Sequence, residues 1–338
     1  MKTRVLFWVY ALALGLMGCA QSGGPSKELL AKHNDFLTWK FGAFFHFNMG
    51  TFCNREWTTG HEDPLLFKPD SLDCNQWIDE AKKAGMTYAV LTTKHTGGWC
   101  LWDSKVTDHD ITAMTNYKQG KGDVVREFVD ACRKHDMRVG FYYCLPGNFS
   151  GNNLEAGQED LHGLPPEAKG DYEGFIEAQI RELFTQYGKI DIFFADQFQN
   201  PYTPDHWRKL KLLIHELQPQ CIVVANNARD YLDTDIIGYE HPWLKSQGKP
   251  DMPPAGNKEA TEVNDCIVDG AVWFWHSDFQ PRLQTPEAIV EKLRFCNANH
   301  ANYLLNVQPD RNGLISGPYL ETLRKVAEMN RKEGFFDK

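Results

Sequence analysis

The chain has 338 residues, 42% of them hydrophobic and 24% charged, a balance that excludes disorder and fits a globular protein. Its net charge is −9 and no run of Lys and Arg occurs, which excludes a nucleic-acid or polyanion partner. Aromatic residues make up 13%, with ten Trp; such faces stack on sugar rings, although an aromatic-rich core is the plainer explanation of composition alone.

Residues 1–18 read as a signal peptide: Lys2 and Arg4 precede an apolar run from Val5 to Met17 that is short for a membrane span. Its end, Leu16-Met17-Gly18-Cys19, resembles the lipobox of bacterial lipoproteins. That resemblance implies cleavage before Cys19, lipidation of Cys19, and an exported protein held at a periplasmic or outer-membrane surface. Residues 19–29 then read as the lipidated Cys and a Gly/Ser-rich tether, and residues 30–338 as the folded domain. Eight further cysteines show neither a CxxC pair nor metal-ligand spacing, and read as buried thiols.

Beyond residue 30, short apolar runs alternate with amphipathic segments. Strands are predicted at 41–47, 87–93, 139–144, 190–195, 221–225, 236–239, 272–275 and 303–307. Helices are predicted at 77–84, 123–135, 172–187, 207–217, 286–297 and 318–331, two of them closed by Gly85 and Gly188. Repeated βα units mean a parallel sheet with right-handed crossovers, and eight of them suggest a (β/α)8-type barrel. An open doubly wound sheet is the alternative, but no GxGxxG follows any strand.

In such a barrel, chemistry gathers where strands end. The ends here carry His46 and Asn48, Lys94 and His95, Tyr142 and Tyr143, Asp196, Asn226 and Asn227, Glu240 and His241, Trp273 to Asp278, and Asn306. A carboxylate ending an apolar strand is costly to desolvate unless something pairs with it or uses it. Asp196 alone could be half of an ion pair; with Glu240 ending a later strand, the two supply what glycoside hydrolysis requires. Phe45-His46-Phe47 lacks the paired His of barrel metallohydrolases, and neither HExxH nor GxSxG occurs, so no metal or cofactor is expected.

Taken together these residues resemble glycoside hydrolase family 29, the α-L-fucosidases. Four ordered stretches carry the resemblance: Phe41 to Phe47 with Thr51 to Trp57; Tyr88 to His95 with Gly98 to Ser104; Ile190 to Asp196; and Tyr303 to Asp310 with Gly313-Leu314-Ile315. It implies a single catalytic (β/α)8-type barrel that releases fucose from a fucosylated oligosaccharide or glycoconjugate, with Asp196 as nucleophile. Glu262 to His276 resembles the subgroup that prefers α1,3/1,4-linked fucose, whose acid/base falls on Glu240; in the other subgroup it corresponds more nearly to Glu262, which stays the alternative. His46, Glu56, Trp57, His95, Trp99, Tyr143 and Trp273 are implied as substrate-binding residues. Two signature positions, a His and an Asp in the family, are Thr96 and Gly97 here. Many relatives also carry a C-terminal β-sandwich, and none is expected in this chain. A non-catalytic glycan-binding lipoprotein, or an exo-glycosidase for a related sugar such as L-galactose, is the competing reading.

Overall fold

A computed structural model describes residues 26–145, 171–198, 203–228, 230, 232–243, 253–278 and 281–335. The signal peptide and Cys19 lie outside the described residues. In chain order the main elements are α1 (Lys27–Leu37), β1 (Phe41–Phe45), α2 (Met49–Cys53), α3 (Cys74–Lys83), β2 (Tyr88–Lys94), α4 (Val124–Lys134), β3 (Arg138–Cys144) and α5 (Tyr172–Gln186). There follow β4 (Ile192–Asp196), α6 (Pro204–Leu217), β5 (Ile222–Ala225), β6 (Ile237–Glu240), β7 (Thr261–Cys266), α7 (Pro286–Ala298), β8 (Ala301–Asn306) and α8 (Gly317–Lys332).

The strands form one sheet in the order β5-β4-β3-β2-β1-β8-β7-β6, parallel throughout. Its two end strands share no backbone ladder, but Val223 accepts from the Asp235 N–H, and side chains of Asn226 and Asn227 reach Glu240. The barrel is therefore nearly closed, with a seam between β5 and β6. The expected fold class holds.

Local chemistry sets the helices. Asp73, Asp123, Asp171, Thr203 and Thr285 each accept a backbone N–H in the first turn of the helix they precede. On α4, Val124, Phe128 and Cys132 recur at i, i+4 and i+8, so one face is buried against the sheet. Inside the barrel, Phe44, Tyr88, Val90, Tyr142, Ile192, Phe194, Ile222, Val224 and Leu304 pack with Phe36 and Trp39, which close the N-terminal mouth. Gly42 has to be glycine there, because a Cβ would collide with the Tyr88 ring.

Two expectations are corrected. The helix α1 starts at Lys27 with Ser26 as its cap, so Lys27 to Leu29 belong to the fold and not to the tether. The seventh strand is Thr261–Cys266, not 272–275. Its sequence, Thr-Glu-Val-Asn-Asp-Cys, hides it from an apolar-run reading, because each of its buried polar side chains meets at least one hydrogen-bond partner elsewhere in the fold. Asp265 alone accepts from Lys292, Tyr303, Gln284 and His241. Residues 272–275 form the loop beyond β7, where Trp273 packs near Phe44, His46 and His241. The eight described cysteines are all free thiols, and only Cys53 is not fully buried.

Candidate active site

A cavity of about 210 Å³ opens at the C-terminal mouth of the barrel. Phe44 and Phe194 supply apolar wall, while His46, His95, Tyr142, Asp196, Asn226, Glu240, His241 and Asn264 supply polar groups; Trp57 and Trp273 add indole rings. Seven strands and the loops beyond them thus converge on one small space. Asp196, Asn226 and Glu240 are each followed by a non-glycine residue with positive φ: Gln197 (66°), Asn227 (49°) and His241 (43°). Such backbone is costly, and three cases in one rim mark a place where side-chain direction outweighs local strain.

Asp196 is the last residue of β4. Its Oδ2 accepts the Tyr142 hydroxyl at 2.8 Å, and its Oδ1 accepts the Gln197 N–H at 2.9 Å and Asn226 Nδ2 at 3.1 Å. Glu240 ends β6, and its Oε2 accepts the same Asn226 Nδ2 at 3.2 Å and Asn227 Nδ2 at 2.9 Å. One amide nitrogen therefore serves both carboxylates. Burial raises both groups above the usual carboxylate range; the charge of Asp196 adds to it for Glu240, which reaches about 8. Asp196, whose carboxylate accepts four hydrogen bonds against two for Glu240, takes the negative charge, and Glu240 keeps the proton.

His46 leans on Asn306, whose Oδ1 lies 2.9 Å from its Nδ1, while Asn306 Nδ2 donates to the Trp273 carbonyl. Burial, then the neighbouring His95, holds His46 well below its ordinary range, and burial brings His95 down to about 3. Both rings are neutral, so each offers one donor and one acceptor nitrogen. With Nδ1 donating to Asn306, the His46 Nε2 is left as an acceptor for a ligand hydroxyl. Glu56 does not line the cavity. It accepts the Trp273 N–H at 2.7 Å and faces His276 Nε2 at 2.7 Å, and so fixes the loop that carries Trp273. Trp57, 47% exposed, forms part of the rim.

Three further expected site residues lie elsewhere. Tyr143 points outward from β3, where its ring takes the Lys94 ammonium at 4.0 Å and its hydroxyl donates to Gln179 of α5. Side chains alternate along a strand, so Tyr142 is the one that faces the cavity. Trp99 is buried in the loop after β2, donates to Glu62 and stacks on His109. Glu262 lies two residues below Asn264 on β7, inside the barrel, where it accepts the Tyr88 hydroxyl at 2.8 Å. It does not line the cavity. Asn264, missed from the sequence, sits on the strand that was misplaced; Tyr142, Asn226 and His241 were visible at strand ends but were not selected.

The two departures at positions 96 and 97 are consistent with each other. Thr96 Oγ1 accepts the Thr58 N–H at 3.0 Å, and the Thr58 hydroxyl donates to the Thr96 carbonyl. Gly97 has φ +86°, and a Cβ there would strike Thr58 Oγ1. The loop after β2 is thus clamped to the loop after β1, with no room for a longer residue at 97. Among the described residues no group of three or more His, Cys, Asp and Glu could hold a metal ion.

A parallel eight-stranded barrel whose strand ends bring two carboxylates and aromatic walls to one cavity has the architecture and site layout of the barrel glycoside hydrolases. Residues 25–334 match the family described as Alpha-L-fucosidase, and the chain belongs to that family. It is 30% identical to Alpha-L-fucosidase 1 of Arabidopsis thaliana over 357 residues, covering 96% of this chain and 66% of that protein. It is 37% identical to the plasma alpha-L-fucosidase of Pongo abelii over 282 residues, covering 80% and 56%. The solved structure of alpha-L-fucosidase isoenzyme 1 from Paenibacillus thiaminolyticus superposes with a TM-score of 0.71 at 27% identity, covering 91% of this chain and 77% of that one. The chain spans 56% to 66% of the length of these two curated relatives.

Proposed function

We propose that the protein is a retaining exo-α-L-fucosidase acting on fucosylated glycans, with α1,3- or α1,4-linked fucose preferred. The observation that carries the mechanism is the shared amide of Asn226. Its bonds of 3.1 and 3.2 Å, even laid end to end, keep the nearest oxygens of Asp196 and Glu240 closer than the roughly 6.5–9.5 Å at which an inverting pair lodges its water. Ionised Asp196 attacks the anomeric carbon as the C–O bond to the leaving group breaks. Protonated Glu240 gives its proton to the departing oxygen, and a fucosyl ester forms on Asp196. Glu240, now ionised, takes a proton from water; the water oxygen attacks the anomeric carbon and Asp196 is released with configuration retained.

Three features support the sugar. The cavity volume suits one monosaccharide ring, the neutral His46 and His95 suit hydroxyls, and the faces of Trp57 and Trp273 suit the methyl group of a 6-deoxy sugar. The resemblance of 262–276 supports the linkage preference. A lipid on Cys19, and hence attachment at an exported membrane surface, rests on the lipobox-like segment. The test is fucose release from an aryl α-L-fucoside and from a Lewis-type trisaccharide by wild type and Asp196→Ala. Release by wild type alone is expected, and its absence from folded wild type with both substrates overturns the reading.

A further inference from the structure

The Asn226 amide has two ends of nearly equal size and opposite polarity, so shape alone does not keep its NH2 turned toward the carboxylates. Nor does the backbone, since β5 and β6 share no ladder at the seam. The polarity is set from the other end: Asn226 Oδ1 accepts from Asn264 Nδ2 at 3.4 Å. Asn264 stands in register with Glu240 on the neighbouring strand and is fully buried. Among the described residues its own Oδ1 has no hydrogen-bond partner. A buried amide carbonyl left without a donor destabilises a fold, so an apolar side chain of like size would suit packing better. What the amide adds at this position is the one donation to Asn226.

We infer that Asn264 is a positioning residue for the carboxylate pair: it locks the Asn226 amide with its nitrogen toward Asp196 and Glu240. This inference rests on the reading of that pair as nucleophile and acid/base. Without the lock, Asn226 samples orientations in which its oxygen faces two acceptors, and both carboxylates lose a donor to their charged forms. Both then titrate at higher pH. The other titratable groups facing the pair are Tyr142 and Cys144 on β3, His46 after β1, His95 after β2 and His241 after β6; none of their side chains bonds the Asn264 side chain, and His241 meets residue 264 only through its backbone N–H on the Asn264 carbonyl.

The experiment is the pH profile of kcat/KM on an aryl α-L-fucoside for the full chain, with Asn264→Leu and Asn264→Ala beside wild type and a thermal melt of each. Expected are a melting temperature for the Leu variant equal to or above wild type, both limbs displaced to higher pH, and kcat lower by roughly 10-fold with KM within about 2-fold. In an Asn226→Ala background, Asn264→Leu should displace neither limb further. Limbs that stay at the wild-type pH, or a loss confined to KM, overturn the inference, as does failure of both variants to fold. An inactive wild type instead removes the fucosidase reading itself, so the two failures are distinguishable.

Discussion

The Tyr142 hydroxyl lies 2.8 Å from Oδ2 of Asp196, while Tyr143, the next residue, faces α5 on the other side of the sheet. Adjacent tyrosines on one strand thus have separate fates. Hydrogen bonds to a charged acceptor contribute about 1.5–3 kcal/mol, so Tyr142→Phe should raise the pH at which Asp196 ionises. The acidic limb of kcat/KM should rise by about one unit, visible as a loss near pH 5 that narrows toward neutrality. Tyr143→Phe should leave that limb in place. A displaced limb in the Tyr143 variant alone would reverse the assignment.

Glu240 and Glu262 were both candidates for the acid/base, and both are pushed up to about 8, chiefly by burial. Only Glu240 reaches the cavity. Replacing it with Ala should cost roughly 10²–10⁴-fold on a Lewis-type trisaccharide, whose leaving oxygen needs a proton. An aryl fucoside with a good leaving group should lose far less in the first step. The alkaline limb near pH 8 should vanish, and azide should restore turnover by forming the fucosyl azide with retained configuration. The same pattern in Glu262→Ala, with Glu240→Ala unaffected, would move the role to Glu262.

Glu262 also predicts a pH dependence of stability. Among the described residues its carboxyl has one bond, from Tyr88, and Oε1 has none. The folded state therefore holds the proton up to about 8, whereas the unfolded chain releases it near the ordinary Glu value of about 4.3. Between those values the folded state binds more protons, so stability is full at low pH and falls as pH rises. Glu262→Gln removes that slope. Thermal melts should show the variant gaining several degrees at pH 8 relative to its difference from wild type at pH 4.5. Parallel melting curves across that window would mean that Glu262 is not buried as a neutral acid.

Glu56 holds the backbone of Trp273 and Phe274 and faces His276. Losing it should loosen the Trp273 wall without touching the carboxylates. Glu56→Ala should raise KM by roughly 10-fold with kcat changed less, and steady-state kinetics at one pH decide it. A fall in kcat at unchanged KM would give Glu56 a direct part in the chemistry.

Much of this was legible in the sequence because apolar strands end abruptly in polar residues. Ile-Phe-Phe-Ala before Asp196 announces both a buried strand and its exceptional terminus. The seventh strand was not legible, because Glu262, Asn264 and Asp265 are polar residues whose burial depends on Tyr88, Asn226 and Lys292 from distant parts of the chain. The aromatic Val272–Trp275 took its place in the pattern, although those side chains pack over the barrel mouth as a loop. The choice of Tyr143 over Tyr142 failed for a related reason. Both are buried, and only the strand's register, with Tyr142 beside Phe194 and Tyr143 beside Ala195, decides which one looks inward.

The central claim is that Asp196 forms a covalent ester with fucose. Its most direct test is mass spectrometry of the intact protein and its peptides after reaction with 2-deoxy-2-fluoro-α-L-fucosyl fluoride, which slows the second step more than it slows formation of the ester. One added fluorofucosyl mass is expected, mapped to Asp196. A protein that hydrolyses α-L-fucosides yet carries the label on another residue, or releases the inverted anomer without any label, would contradict it.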